Sequence, residues 1–307
     1  MRKTCLDTVY NIATKNKKVV FVGSDLGPGV LNEFKKNIPE RFYMEGVCEQ
    51  AIIGLSAGLA LEGFIPYVNT IATFITRRCF EQIVVDLCLH NLPVKLIGNG
   101  GGLVYAPLGP THQAIEDLSI MRSLPNMSII SPCDALEMRA LMQDSAEYKG
   151  PLYVRIARGG EKIITSKKNK KIGEGDLLIE PKDYLFITTG VMAQRAIEAS
   201  RQINSEENKT VGVLHMPTVK PLDKEILLNW IPKVKKIVTI EENVLAGGFG
   251  SSILEFVNDK MPDHSKKITR LGLPDKFIKH YGTQEDLLNN NFLSIKNIKD
   301  LILKQNV

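Results

Sequence analysis

Short runs of β-branched and apolar residues recur along the 307-residue chain, and most end in Gly, Pro or Ser. Residues 19–22, 94–97, 128–130 and 152–156 predict buried strands in the first half, and 184–188, 210–214, 236–240 and 268–271 predict them in the second. Between these runs the apolar positions fall three and four residues apart. That spacing predicts helices over 6–14, 50–61, 78–89, 135–147, 193–203 and 251–259.

Alternation of strand and helix implies parallel sheets joined by right-handed crossovers. At about 150 residues per domain the length allows two domains. A polar, lysine-rich stretch divides the pattern, so the expected organisation is an α/β domain over 1–160, a linker over 161–183 and a second α/β domain over 184–307. No internal repeat is visible. In open sheets of this kind, sites lie beyond the carboxyl ends of the strands.

Composition narrows the class. Apolar residues make up 44% and charged residues 24%, which excludes a disordered or collagen-like chain. The longest apolar runs are too short for a membrane-spanning helix, and the first seven residues turn polar and acidic before an apolar leader could form. Five scattered cysteines lack C-x-x-C spacing, which points to neither a disulfide framework nor a zinc site and predicts a reducing, cytoplasmic setting. The net charge is +5, with a cluster at Lys167, Lys168, Lys170 and Lys171. Without interleaved aromatics that cluster predicts a solvated linker, not a nucleic-acid surface.

Glycine clusters follow several strand runs, at Gly23–Gly27, Gly98–Gly102, Gly159–Gly160 and Gly247–Gly250, but none has dinucleotide-fingerprint or P-loop spacing. Glu49 starts an apolar, small-residue helix. A carboxyl there has little polar company in sequence, and burial would raise its pKa. His112 stands in a turn, Gly109-Pro110-Thr111-His112-Gln113, where loop position favours a functional role. Arg158 follows a strand and precedes two glycines, a place for an anion fork. The remaining histidines show no metal-like spacing, so no metal ligation by this chain is expected.

Taken together these segments resemble the thiamine-diphosphate-dependent transketolase family, and specifically the C-terminal subunit of a split transketolase. The resemblance rests on Arg41-Phe42-Tyr43-Met44-Glu45-Gly46-Val47-Cys48-Glu49-Gln50, on the Gly109–Gln113 loop, and on Ser24-Asp25-Leu26, Thr73-Phe74 and Arg158-Gly159. In the second half it rests on Val238–Asn243, Gly247–Gly250 and Tyr281-Gly282. It implies a pyrimidine-binding domain followed by a transketolase C-terminal domain. It also implies Glu49 as the cofactor-activating carboxyl, Phe74 packed on the aminopyrimidine, and Asp25 and Arg77 near the cofactor. His112 would serve the sugar oxygens, and Arg158, with Arg2 beside it, a sugar phosphate.

The family holds Mg²⁺ and the diphosphate through a Gly-Asp-Gly segment and a downstream Asn. Neither is found here apart from Gly173-Glu174-Gly175-Asp176, which falls in the expected linker. The resemblance therefore implies an N-terminal partner subunit that supplies the metal, an α₂β₂ heterotetramer, and two-carbon ketol transfer from a ketose phosphate to an aldose. Leu108 replaces the acidic residue that many transketolases carry before the histidine loop, and Thr73-Phe74-Ile75-Thr76-Arg77 is closer to deoxyxylulose-phosphate synthases. The alternatives are such a synthase-like enzyme or the β subunit of a 2-oxo acid dehydrogenase.

Overall fold

The computed structural model describes residues 1–24, 30–167, 169–207 and 209–304. Asp25, Leu26, Gly27 and Lys168, singled out from the sequence, lie outside the described residues.

Among the described residues, twelve strands form two sheets: β1 (Val19–Gly23), β2 (Phe42–Met44), β3 (Ile65–Ile71), β4 (Lys95–Asn99), β5 (Ser128–Ile130), β6 (Leu152–Ile156), β7 (Asp176–Ile179), β8 (Tyr184–Thr188), β9 (Val211–His215), β10 (Thr218–Lys220), β11 (Lys236–Val244) and β12 (Ile268–Leu273). The seven-stranded sheet runs β10-β5-β6-β4-β3-β1-β2, and the five-stranded sheet runs β12-β11-β8-β9-β7. Every pairing is parallel except β10 with β5 and β7 with β9. Strands β1, β4, β5, β6 and β9 are buried throughout, which explains their continuous apolar runs.

Three features depart from the sequence reading. β7 lies inside the stretch expected as a linker and closes the second sheet, while β10, from the second half, adds an edge strand to the first. The helix expected over 78–89 is broken into two π-helical turns, Phe74–Arg78 and Ile83–Cys88, around a short α turn at Phe80–Gln82. The basic run is solvated at Lys167 and Lys171 but not at Lys170. Lys170 is 2% exposed and reaches Glu137 (3.3 Å) and Asp176 (3.4 Å), and Lys171 pairs with Asp144 at 2.7 Å.

One apolar core joins the two sheets. Ile53, Leu118 and Met121 from the first half share a cluster with Leu185, Leu214 and Phe249 from the second. Polar ties cross the same seam: Arg122 grips Glu255 through two bonds of 2.7 and 2.8 Å, and Leu103 N–H donates to Glu242 at 2.7 Å. Among the described residues, no helix is long and apolar enough to cross a membrane.

Candidate active site

The site forms at the carboxyl ends of β1, β3 and β4, where buried strands give way to polar residues. Near its end β3 carries Asn69 and Thr70, both fully buried. Asn99, at the end of β4, donates to Asn69 at 2.8 Å, and Ser24, just past β1, donates to Thr70 at 2.7 Å. Through Ser24 these strand ends meet Glu49, the first residue of the Glu49–Leu61 helix and only 2% exposed.

Glu49 is less isolated than its sequence neighbours imply. Its Oε2 accepts from Arg78 Nη1 at 2.7 Å, and Oε1 lies 3.5 Å from the Ser24 hydroxyl. The carboxylate therefore has a cationic partner brought from a distant segment. Glu49 also stands in the first turn of its own helix, where negative charge is favoured.

Phe74 and Arg78 share the first π-helical turn. Turns of this type are rare and concentrate at functional sites. Here the turn folds the Arg78 guanidinium over the Phe74 ring, 4.5 Å from its centroid. The His112 imidazole meets the same ring edge-on, with centroids 5.2 Å apart. His112 Nδ1 lies 2.9 Å from the Thr111 hydroxyl, which leaves Nε2 for another partner. Glu49 and His112, picked out on their own, and Phe74, implied by the resemblance, are thus drawn together through Arg78, which the sequence reading left without a role.

The other expected residues fall elsewhere. Arg77 bonds to Glu116 and donates to the Gln113 carbonyl at 2.9 Å, so it fastens the histidine loop to the Phe74 turn. Arg158 is exposed. The N-terminal ammonium of Met1 pairs with Glu161 at 3.0 Å, and Gly159 N–H donates to the same carboxylate, which brings the segments carrying Arg2 and Arg158 together. Arg2 also lines a cleft of about 750 Å³ with Asp7, Tyr10, Leu31 and Phe34.

Beneath the histidine loop sits a buried group that sequence reasoning missed. Arg155 donates to Asp117 at 2.9 Å and to the Glu242 carbonyl at 2.8 Å, and the Tyr153 hydroxyl donates to Asp117 at 2.8 Å. Burial pushes the Asp117 carboxyl up from its ordinary range, against the pull of Arg155. The signal in sequence is charged residues within apolar strands, Arg155 in β6 and Glu241-Glu242 in β11. Gly102 is needed here: its φ is +66°, and a Cβ would stand 2.5 Å from the Glu242 carboxyl carbon.

His215 has company that histidine spacing could not show. Its Nε2 lies 2.8 Å from Glu137, and Cys133 completes a buried trio within 4.8 Å. The Lys170 ammonium already supplies counter-charge to that carboxylate.

Several observations fit the site to a flat, hydrogen-bonding heterocycle. A planar N–H donor, the Arg78 guanidinium, already spans the Phe74 ring and the Glu49 carboxylate. Thr73 Oγ1, Gln113 Nε2 and Asn99 Oδ1 are buried without hydrogen-bond partners on the segments that frame it.

Residues 1–160 match the family described as transketolase, pyrimidine binding domain, and 173–298 match transketolase, C-terminal domain. The 1-deoxy-D-xylulose-5-phosphate synthase of Caldanaerobacter subterraneus subsp. tengcongensis is 37% identical over 301 residues, covering 97% of this chain and 47% of the relative. The enzyme of the same name from Clostridium perfringens is 34% identical over 97% of this chain and 48% of the relative. The chain thus spans about half the length of these curated relatives. A solved structure described as a split gene transketolase, inactive beta4 tetramer, superposes with a TM-score of 0.90 at 32% identity, over 98% of this chain and 96% of that one. A transketolase mutant from Pichia stipitis shares the fold, with a TM-score of 0.81 at 19% identity over 98% of this chain and 45% of that one.

Proposed function

This chain belongs to the transketolase family of thiamine-diphosphate enzymes, and from that premise we propose that it is the C-terminal half of a two-chain transketolase that moves a two-carbon ketol unit from a ketose phosphate to an aldose. The observation that carries the reading is the convergence of Glu49, Phe74 and His112 on one nook at the strand ends. The near end-to-end match to a split-gene transketolase supports division of the enzyme over two polypeptides.

When bound, thiamine diphosphate supplies a nucleophilic carbanion at its thiazolium C2. The chain's own residues have distinct jobs. Glu49 holds the proton at aminopyrimidine N1′, Phe74 gives the ring an apolar face, and His112 Nε2 hydrogen-bonds and exchanges protons with the sugar oxygens. Arg158 and Arg2 receive the sugar phosphate as planar, permanently charged donors. Asp25 is assigned near the cofactor, and Arg77 acts on it indirectly through the histidine loop. Mg²⁺ and the diphosphate are assigned to the N-terminal partner in an α₂β₂ assembly in the cytoplasm. Met44, Val47, Leu55 and Leu61, exposed on and beside the helix that begins at Glu49, offer that assembly an apolar surface.

A second reading follows from the curated relatives, whose names make them deoxyxylulose-phosphate synthases. A 1-deoxy ketose carries a methyl group at C1, so its donor must be a pyruvate-type 2-oxo acid that loses CO₂. Co-expression with a chain carrying Gly-Asp-Gly and a downstream Asn, followed by assay with ketose phosphates or with pyruvate plus an aldose phosphate, separates the two. In the active pair Glu49→Gln is expected to lower turnover by at least about a thousandfold with assembly intact. Normal turnover in that variant rejects the assignment of Glu49.

A further inference from the structure

We propose that Arg78 is an internal occupant of the cofactor nook, whose guanidinium holds the aminopyrimidine's place until that ring displaces it. The inference rests on the reading that Glu49 and Phe74 face the aminopyrimidine.

The geometry is specific. Arg78 Nη1 donates to Glu49 Oε2 at 2.7 Å while its guanidinium carbon lies 4.5 Å from the Phe74 centroid. One flat, N–H-bearing group thus makes both contacts assigned to the aminopyrimidine, the face contact with Phe74 and the hydrogen bond to Glu49. The Arg78 side chain is 43% exposed and the Glu49 side chain 2%. The long flexible arm can therefore swing toward solvent while the carboxylate stays where its helix places it.

There is a physical reason for such an occupant. A carboxylate buried without a partner carries a large desolvation cost. Arg78 offsets that cost as long as the nook is otherwise unfilled. The adjacent Arg77 does not substitute for it, being committed to Glu116 and Gln113. An occupant that must leave lowers apparent affinity for the incoming ligand by the fraction of time the site is open.

The test uses the isolated chain and the cofactor's pyrimidine fragment, 4-amino-5-hydroxymethyl-2-methylpyrimidine, with affinity read by ligand-observed NMR. Neither a partner nor turnover is required. Arg78→Ala is expected to bind the fragment about tenfold more tightly than the wild type, because ion-pair and cation–π competition is removed. Arg78→Gln, which keeps the length and loses the charge, is expected to gain severalfold and covers the case in which the alanine variant does not fold. Equal or weaker binding by both variants relative to wild type overturns the proposal, since a merely structural arginine would lower affinity when removed. Competition appears as fragment affinity and the reaction as turnover of the reconstituted pair. An inactive pair whose arginine variants still bind the fragment more tightly would reject ketol transfer and keep the displacement.

Discussion

The ring of Phe74 stands edge-on to the imidazole of His112, with 5.2 Å between centroids and 65° between planes. Two loops from different strand ends meet at that contact, and Arg77 ties them together a second time through Glu116 and the Gln113 carbonyl. His112 is consequently held by its ring, by Thr111 at Nδ1 and by its loop, with Nε2 left for chemistry. A residue so positioned suits proton exchange more than packing alone.

Replacing His112 with Asn separates those roles in the reconstituted enzyme. Loss of a positioned acid–base group is expected to lower kcat by about 10²–10⁴-fold. Thiamine-diphosphate affinity, measured calorimetrically, should change little. An unchanged kcat with weakened affinity would reassign the imidazole to supporting Phe74.

The Asp117–Arg155 pair makes a stability prediction. Both side chains are buried, and Arg155 also donates across the domain seam to Glu242. Asp117→Ala removes the buried ion-pair partner of the Arg155 guanidinium and should cost about 3–5 kcal/mol. Tyr153→Phe removes one hydrogen bond to the same carboxylate and should cost about 1 kcal/mol. Urea unfolding measures both, and similar losses for the two variants would show that the charge pairing contributes nothing special.

Gly102→Ala tests whether the seam tolerates any displacement. The new Cβ would meet the Glu242 carboxyl group in a backbone conformation that L-residues rarely adopt. Either the glycine loop or β11 must shift, and the loop that shifts carries His112 downstream. Reduced kcat and a stability loss of about 1–3 kcal/mol are expected, read by turnover and by urea unfolding together. Wild-type values for both would show that the loop is free of the seam.

Much of this fold was legible in the sequence because buried parallel strands are written as unbroken apolar runs. β5, β6 and β8 occupy the residues that the runs predict. β3 was not legible, for a reason tied to the candidate site. Its second half carries Asn69 and Thr70, which serve the site instead of the core, so the run looks broken. β7 and β10 are short edge strands fixed by pairing with distant segments, which local pattern does not encode. Glu49, Phe74 and His112, which the fold brings close together, were singled out by their motifs. Arg78 was not, because its place over Phe74 depends on a π-helical turn that a helix-like spacing conceals.

Lys95 supplies the pH prediction. It starts β4 fully buried, and burial lowers its pKa from 10.5 to about 7. Its Nζ donates to two carbonyls, Tyr148 at 2.6 Å and Gly150 at 3.2 Å, which matches the two hydrogens of a neutral amine. Between about pH 7 and 10.5 the unfolded chain therefore holds one proton more than the folded chain at this site. Under linkage, stability then rises with pH across that window, by at most about 1.4 kcal/mol per unit. The other titrating groups are common to wild type and variant, so comparison with Lys95→Met isolates this proton. The variant loses both carbonyl partners and is expected to be less stable throughout. Its stability from pH 7 to 9 in urea unfolding should nevertheless climb less steeply than that of the wild type. Parallel profiles would mean that Lys95 keeps its proton in the folded state, with the two carbonyls solvating an ammonium.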